Sequence, residues 1–267
     1  MTRITLTAKI VFAIVVSFHS TVAMAQGKQE PSDELPTAEE VFARYAEELG
    51  GLMPLSGIES ARLTMKHEVV SSDVPTIGGD SKTNYVWLSE IGWTSGSNSG
   101  VESRMGNWKG KAWRSIAGRE SRWMEGEEAR HLNNMMPTFV PTHVIDWIEN
   151  ADKAKVTGKE ELNDTEVYAV EMEREDSEKQ KVFFNIETGL LFAIEFEQEG
   201  FDSLMFIKDY REFEGLMVPY EYEYEIGQMD FKVSLKLEEI EFNGDVDESD
   251  LQPPDELLNE VQDSDDK

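Results

Sequence analysis

Histidine is the side chain most often recruited for proton transfer or metal binding near neutral pH. Beyond residue 25 the chain carries His67, His131 and His143. No two of them stand at i, i+4, and His67-Glu68 lacks the second histidine that a zinc protease places one helical turn on. His67 falls on the apolar side of an alternating segment, where a hydrogen-bonded core histidine is expected. Gly106-Asn107-Trp108-Lys109-Gly110-Lys111 has the look of a phosphate loop. It has three residues between its glycines where four are needed, and Ala112 stands where Ser or Thr must meet magnesium. Gly96-Ser97-Asn98-Ser99-Gly100 centres on Asn, so it is no nucleophile elbow. Asp245, Asp247 and Asp250 lack the central Gly and terminal Glu of a calcium loop and read as a solvated acidic run. No catalytic residue, metal ligand or cofactor is expected.

Composition excludes further classes. The 267 residues include no cysteine, which removes disulfides, thiolate metal sites and cysteine nucleophiles. Against 54 Asp+Glu there are 25 Lys+Arg, a net charge of −29. Such a surface repels phosphate backbones, so nucleic acid is not an expected partner. It repels anionic lipid surfaces as well. At 39% hydrophobic and 10% aromatic, the chain is too apolar to be a disordered acidic protein.

What remains conspicuous is apolar. All six tryptophans fall between residues 85 and 147, interleaved with methionines. Trp87, Trp93, Met105, Trp113, Trp123, Met124, Met135, Met136, Phe139 and Trp147 are candidate lining residues of a deformable apolar cavity, because Met adapts to variable ligands. An ordinary filled core is the competing reading. A continuous apolar void beside Trp87, Trp113 and Trp123 would favour the cavity.

These side chains need elements to hold them. Residues 1–25 carry Arg3 and Lys9, a short apolar run from Ile10 to Phe18, and Ala23-Met24-Ala25, the three parts of a cleavable signal peptide. Their removal takes away two positive charges, and no later segment is apolar enough to span a membrane. Residues 26–36 read as a polar lead-in. Thr37 with Glu40 makes a capping box, Val41, Tyr45 and Leu49 form a helical stripe, and Gly50-Gly51 stops the helix. A second helical region is expected over 126–149, broken by Pro137 and Pro141, with Val144, Trp147 and Ile148 inward.

Elsewhere the period is two. Leu63 to Val69, 83–93 (Tyr85, Trp87, Ile91 and Trp93 on one face), Tyr220 to Ile226 and Phe231 to Leu237 alternate apolar with polar. Lys232 and Lys236 are placed to face Glu221, Glu223 and Glu225, and the period slips at Glu238-Glu239, which predicts a bulge. Turn signals at Asn163-Asp164, Thr188-Gly189, Glu214-Gly215 and Gly227-Gln228 imply hairpins. The predicted fold is mainly β (α+β): one curved antiparallel sheet forming an incomplete barrel, with helices covering its inner face. It occupies residues 37–254, and 255–267 end an acidic, solvated tail that begins near Asp245.

Four motifs carry a resemblance. They are Val156–Glu160 with Val167–Val170; Phe183-Phe184-Asn185-Ile186-Glu187-Thr188-Gly189-Leu190-Leu191; Asp209-Tyr210-Arg211 through Gly215 to Pro219; and Trp108-x-Gly110-x-x-Trp113. With the opening helix, Ala38 to Gly51, their order resembles the LolA-like outer-membrane lipoprotein-sorting and carrier proteins. The resemblance implies an incomplete barrel wrapped around helices, an interior for acyl chains, and no catalysis; a periplasmic or secreted location is expected from the signal peptide, with cleavage near Ala25. The expected function is therefore an exported carrier holding a lipoprotein acyl chain or other lipid. An envelope protein–protein interaction or sensor module with a filled core is the alternative, and an enzyme ranks third.

Overall fold

The computed structural model describes residues 34–72, 81–98, 102–173, 179–198, 201–226 and 231–259. The expected signal peptide, most of the lead-in and the Gly227-Gln228 turn lie outside them. The described residues from Leu35 onward belong to one compact unit.

Helix α1 (Ala38–Glu48) starts where the capping box predicts. Glu40 N–H donates to Thr37 Oγ1 at 3.2 Å, and Thr37 N–H donates to Glu40 Oε2 at 2.8 Å. Its stripe buries Val41, Phe42, Tyr45 and Ala46. A short α2 (Leu52–Ser56) follows. The second helical region also breaks at its prolines: α3 (Gly126–Met135), a 3₁₀ turn over Met136–Phe139, and α4 (His143–Glu149).

The strands are β1 (Ser60–Ser72), β2 (Ser81–Leu88), β3 (Gly92–Asn98), β4 (Glu102–Trp108), β5 (Lys111–Ile116), β6 (Arg122–Trp123), β7 (Ala154–Leu162), β8 (Thr165–Glu173), β9 (Lys179–Asn185), β10 (Leu191–Gln198), β11 (Phe201–Phe213), β12 (Leu216–Ile226) and β13 (Phe231–Phe242). They form one antiparallel sheet in the order β6-β5-β4-β3-β2-β1-β13-β12-β11-β10-β9-β8-β7. Every step is a sequential hairpin except β1–β13, which joins the two halves. The sheet is not closed. The helices between β6 and β7 connect its two edges.

Laid flat, twelve strand spacings of about 4.8 Å would set those edges roughly 58 Å apart. Yet Trp93 on β3 and Val156 on β7 belong to one hydrophobic core with α1 and α4. The sheet therefore curls around the helices as the expected incomplete barrel. The bulge falls as predicted, with Thr64 opposite Glu239 and Met65 opposite Leu237, leaving Glu238 unmatched. The charge ladder forms too: Glu221 faces Lys236 and Glu225 faces Lys232, with ion pairs in both.

Three expectations change. Residues 83–93 are not one strand: β2 ends at Leu88, and Trp93 faces inward because it pairs with Trp87 across a hairpin that holds Ile91 in its turn. The outer face is not uniformly charged. Val167, Ala169, Phe183, Ala193 and Phe206 form a small second cluster there, with the lysine heads of Lys181 and Lys208 over Phe183 and Phe206. From Asp245 to Asn259 the described chain is not a solvated tail. It runs over the outer face as a strap: Arg62 Nη2 donates to Asp250 Oδ2 at 2.7 Å, Lys109 pairs with Glu248 at 2.6 Å, and Leu251 and Leu257 are buried. Acid count alone hid those two leucines.

Candidate functional site

The inner face is filled at one end. Phe42 and Tyr45 of α1 meet Phe184 of β9 at ring separations of 5.8 and 5.4 Å, and Trp147 of α4 closes on Phe42 at 5.7 Å. Tyr45 O–H reaches His143 Nε2 at 3.4 Å while His143 Nδ1 lies 2.7 Å from the Val140 carbonyl. His143 is thus a satisfied core histidine. Burial holds the phenols of Tyr45, Tyr85, Tyr210 and Tyr222 above their ordinary pKa, so all four are neutral. Arg44 fastens the helix, donating to the Ile186 and Glu187 carbonyls at 2.8 and 2.7 Å. Gly189 permits that approach: it has φ +75°, and a Cβ there would sit 2.7 Å from Arg44 Nε.

The other helix over the inner face is held differently. Glu128 of α3 accepts from Arg122 at 2.6 Å and from Arg114 at 3.4 Å, and Asn133 accepts from Asn107 at 2.9 Å. All of these tie α3 to β4–β6. It also reaches the other half of the sheet, where the His131 ring meets Phe196 of β10 at 4.9 Å and Phe196 stacks on Tyr224 at 5.3 Å. None of the ten residues of α3 is fully buried, whereas α1 buries five. Beneath and beside α3, Trp87, Met105, Phe196 and Tyr224 are only half-buried.

The ten candidate lining residues separate accordingly. Trp93, Met136, Phe139 and Trp147 are buried in the inner core, with Trp87, Met105 and Met135 at its margin. Met124 is buried outside that cluster. Trp113 and Trp123 face each other across β5–β6 on the opposite side of the sheet. Gly106 makes room for Trp113 there, since a Cβ would come within 2.8 Å of its Nε1. Strand parity thus forbids a single void bounded by Trp87, Trp113 and Trp123. Reading tryptophan density rather than parity produced that expectation. Phe196, Tyr224 and Leu132 also pack at the margin of the inner core and are not among the ten; the alternations Ile194-x-Phe196 and Tyr222-x-Tyr224 were the available signal for two of them.

Among the described residues no group of three or more His, Asp or Glu is placed to hold a metal ion. No described helix is long and apolar enough to cross a membrane. A cavity of about 660 Å³ beside the strap is lined by Arg62, Lys82, Arg104 and Asp250 on the outer face. One of 180 Å³ lies at the start of α1.

No protein-family model matches the sequence, and no curated protein does. Solved structures do match. A LolA superfamily protein from Nitrosomonas europaea superposes with a TM-score of 0.56 over 82% of this chain and 99% of its own, at 12% identity. The chain has the LolA-like fold. An outer membrane lipoprotein-sorting protein domain from Vibrio parahaemolyticus gives 0.53 at 11% identity, covering 81% of this chain and 97% of that one. A DUF1329 family protein from Desulfovibrio piger gives 0.50 at 11% identity, over 82% and 100%. The LolA-like sheet is therefore complete in this chain, while its side chains are its own.

Proposed function

We propose that the chain is an exported, non-enzymatic carrier that holds a lipoprotein acyl chain or other lipid between the inner face of its sheet and α3. The observation that supports this reading most is the contrast between its two covering helices. An ordinary core helix earns its place by burying an apolar face. Helix α1 does so, but α3 spans half-buried aromatic and Met side chains without burying one residue fully, and polar groups tie it to β4–β6. Lifting α3 breaks few apolar contacts and bares an apolar wall. Each methylene placed on that wall is worth about 0.8 kcal/mol, so a short stretch of acyl chain suffices for measurable binding. The fold likeness to a lipoprotein-sorting domain agrees with this assignment.

The test is uptake of an apolar fluorophore, with native mass spectrometry of protein purified without detergent. Co-purifying lipid and saturable uptake are expected. Met105→Glu should weaken uptake by roughly tenfold or more, since it puts a charge on the wall. Leu52→Glu, at a site 48% exposed on α2, should leave it unchanged. Absence of both lipid and uptake would overturn the carrier and favour the interaction module with a filled core.

A further inference from the structure

Buried polar atoms with no hydrogen-bond partner lie on five inward-facing side chains: Arg114 Nε on β5, Ser203 Oγ on β11, and the three whose chemistry bears most on a ligand, His67 Nε2 on β1, Tyr85 Oη on β2 and Gln180 Oε1 on β9. Gln180 is 5% exposed and Tyr85 fully buried. These last three face inward because they share strand faces with the core residues Met65, Trp87 and Val182. Burying a polar atom without a partner is a net cost that a filled core avoids by using apolar residues. The atoms stand on both walls of the half-barrel, so no single local packing compromise accounts for them.

Further polar groups share the β2–β3 wall. Thr83 and Ser95 are buried beside Tyr85 and Trp93, and the Ser97 and Ser103 hydroxyls lie 3.0 Å apart. The opposite wall, around Val182, Ile194 and Met205, is apolar except for Gln180 and the buried Ser203. The inner face is amphiphilic.

We infer that the cargo is an acyl lipid bearing free hydroxyl groups, such as a hydroxylated acyl chain or a monoacylglycerol, rather than a bare hydrocarbon tail. This rests on the carrier reading and narrows its substrate class. The chemistry of the three atoms sets the requirement. An amide oxygen only accepts, so Gln180 needs a donor from the ligand. A phenol can donate, so Tyr85 suits an ester or hydroxyl oxygen. Burial lowers the pKa of His67, and a neutral imidazole nitrogen takes either role with its tautomer. A hydroxyl meets all three demands, and a saturated chain meets none.

The experiment displaces a bound apolar fluorophore from the mature chain with a 1-monoacylglycerol or with the methyl ester of the same fatty acid. The wild type is expected to bind the monoacylglycerol about tenfold more tightly relative to the ester than Gln180→Met does. Ester affinity should stay within about twofold between the two proteins, because Met conserves volume. Gln180→Met should also raise the melting temperature of the lipid-free protein, since it removes an unsatisfied acceptor. His67→Leu repeats the comparison on the opposite wall and should narrow the preference likewise. Equal lipid ratios in wild type and both variants would overturn the inference and leave the carrier standing. A lower lipid-free melting temperature in Gln180→Met would overturn it too, by showing that the amide is satisfied from within the chain. Failure of either lipid to displace the fluorophore, with no fluorophore uptake at all, overturns the carrier and this inference together.

Discussion

Polar side chains turned toward the inner core divide into two kinds in this molecule. His143 has partners on both ring nitrogens and ties α4 to α1. His67 has an unpartnered Nε2, and burial lowers its pKa below the ordinary 6.5. The sign of its effect on stability follows. The unfolded chain takes up a proton near pH 6.5 that the folded chain resists, so the folded state loses stability as pH falls through that range and is unaffected above it. Urea unfolding of wild type and His67→Gln from about pH 8 to 5 should therefore show a difference that is flat above about pH 7 and shifts toward the variant in acid. The difference is the informative quantity, because the many carboxylates titrate alike in both proteins. A difference that shifts toward the wild type as pH falls would contradict the assignment.

At the scale of elements, the strap after Asp245 has the most direct consequence. Leu251 is fully buried against the outer face, so Leu251→Ala should cost about 2–5 kcal/mol in equilibrium unfolding. Were the strap solvated, the substitution would be neutral. The sequence was most legible where a local rule decides the outcome. Thr37 and Glu40 fixed the start of α1, Pro137 and Pro141 the break between α3 and α4, and Glu238 the bulge. Each is a matter of capping, ring sterics or period, which act over a few residues. Side-chain facing was legible only within a strand. Trp87 and Trp113 both sit in alternating segments, but three intervening turns decide that one faces in and the other out. The strap was illegible because long-range docking of two leucines outweighs a local excess of acid. The unpartnered inner atoms left no trace in composition, since a buried Gln looks like any other Gln.

For the molecule as a whole, charge acts against compactness. With −29 distributed over 267 residues, self-repulsion opposes folding, and the ladders on β12–β13 relieve it only locally. Raising sodium chloride from about 0.01 to 0.15 M shortens the Debye length from about 30 to 8 Å. The melting temperature should rise by a few degrees over that range; a fall would mean that the surface ion pairs outweigh the repulsion. The order of the strands has a consequence in time. Residues 60–72 hydrogen-bond to residues 231–242, whereas almost every other strand pairs with its neighbour in sequence. Hairpins can zip up as soon as they are made, but the central seam must wait for the last strand to leave the ribosome. Until then the first half has an unpaired edge at β1 and no floor beneath its inner side chains. A chain wired this way completes its architecture only when its last strand arrives, so its two halves become one sheet in a single late step.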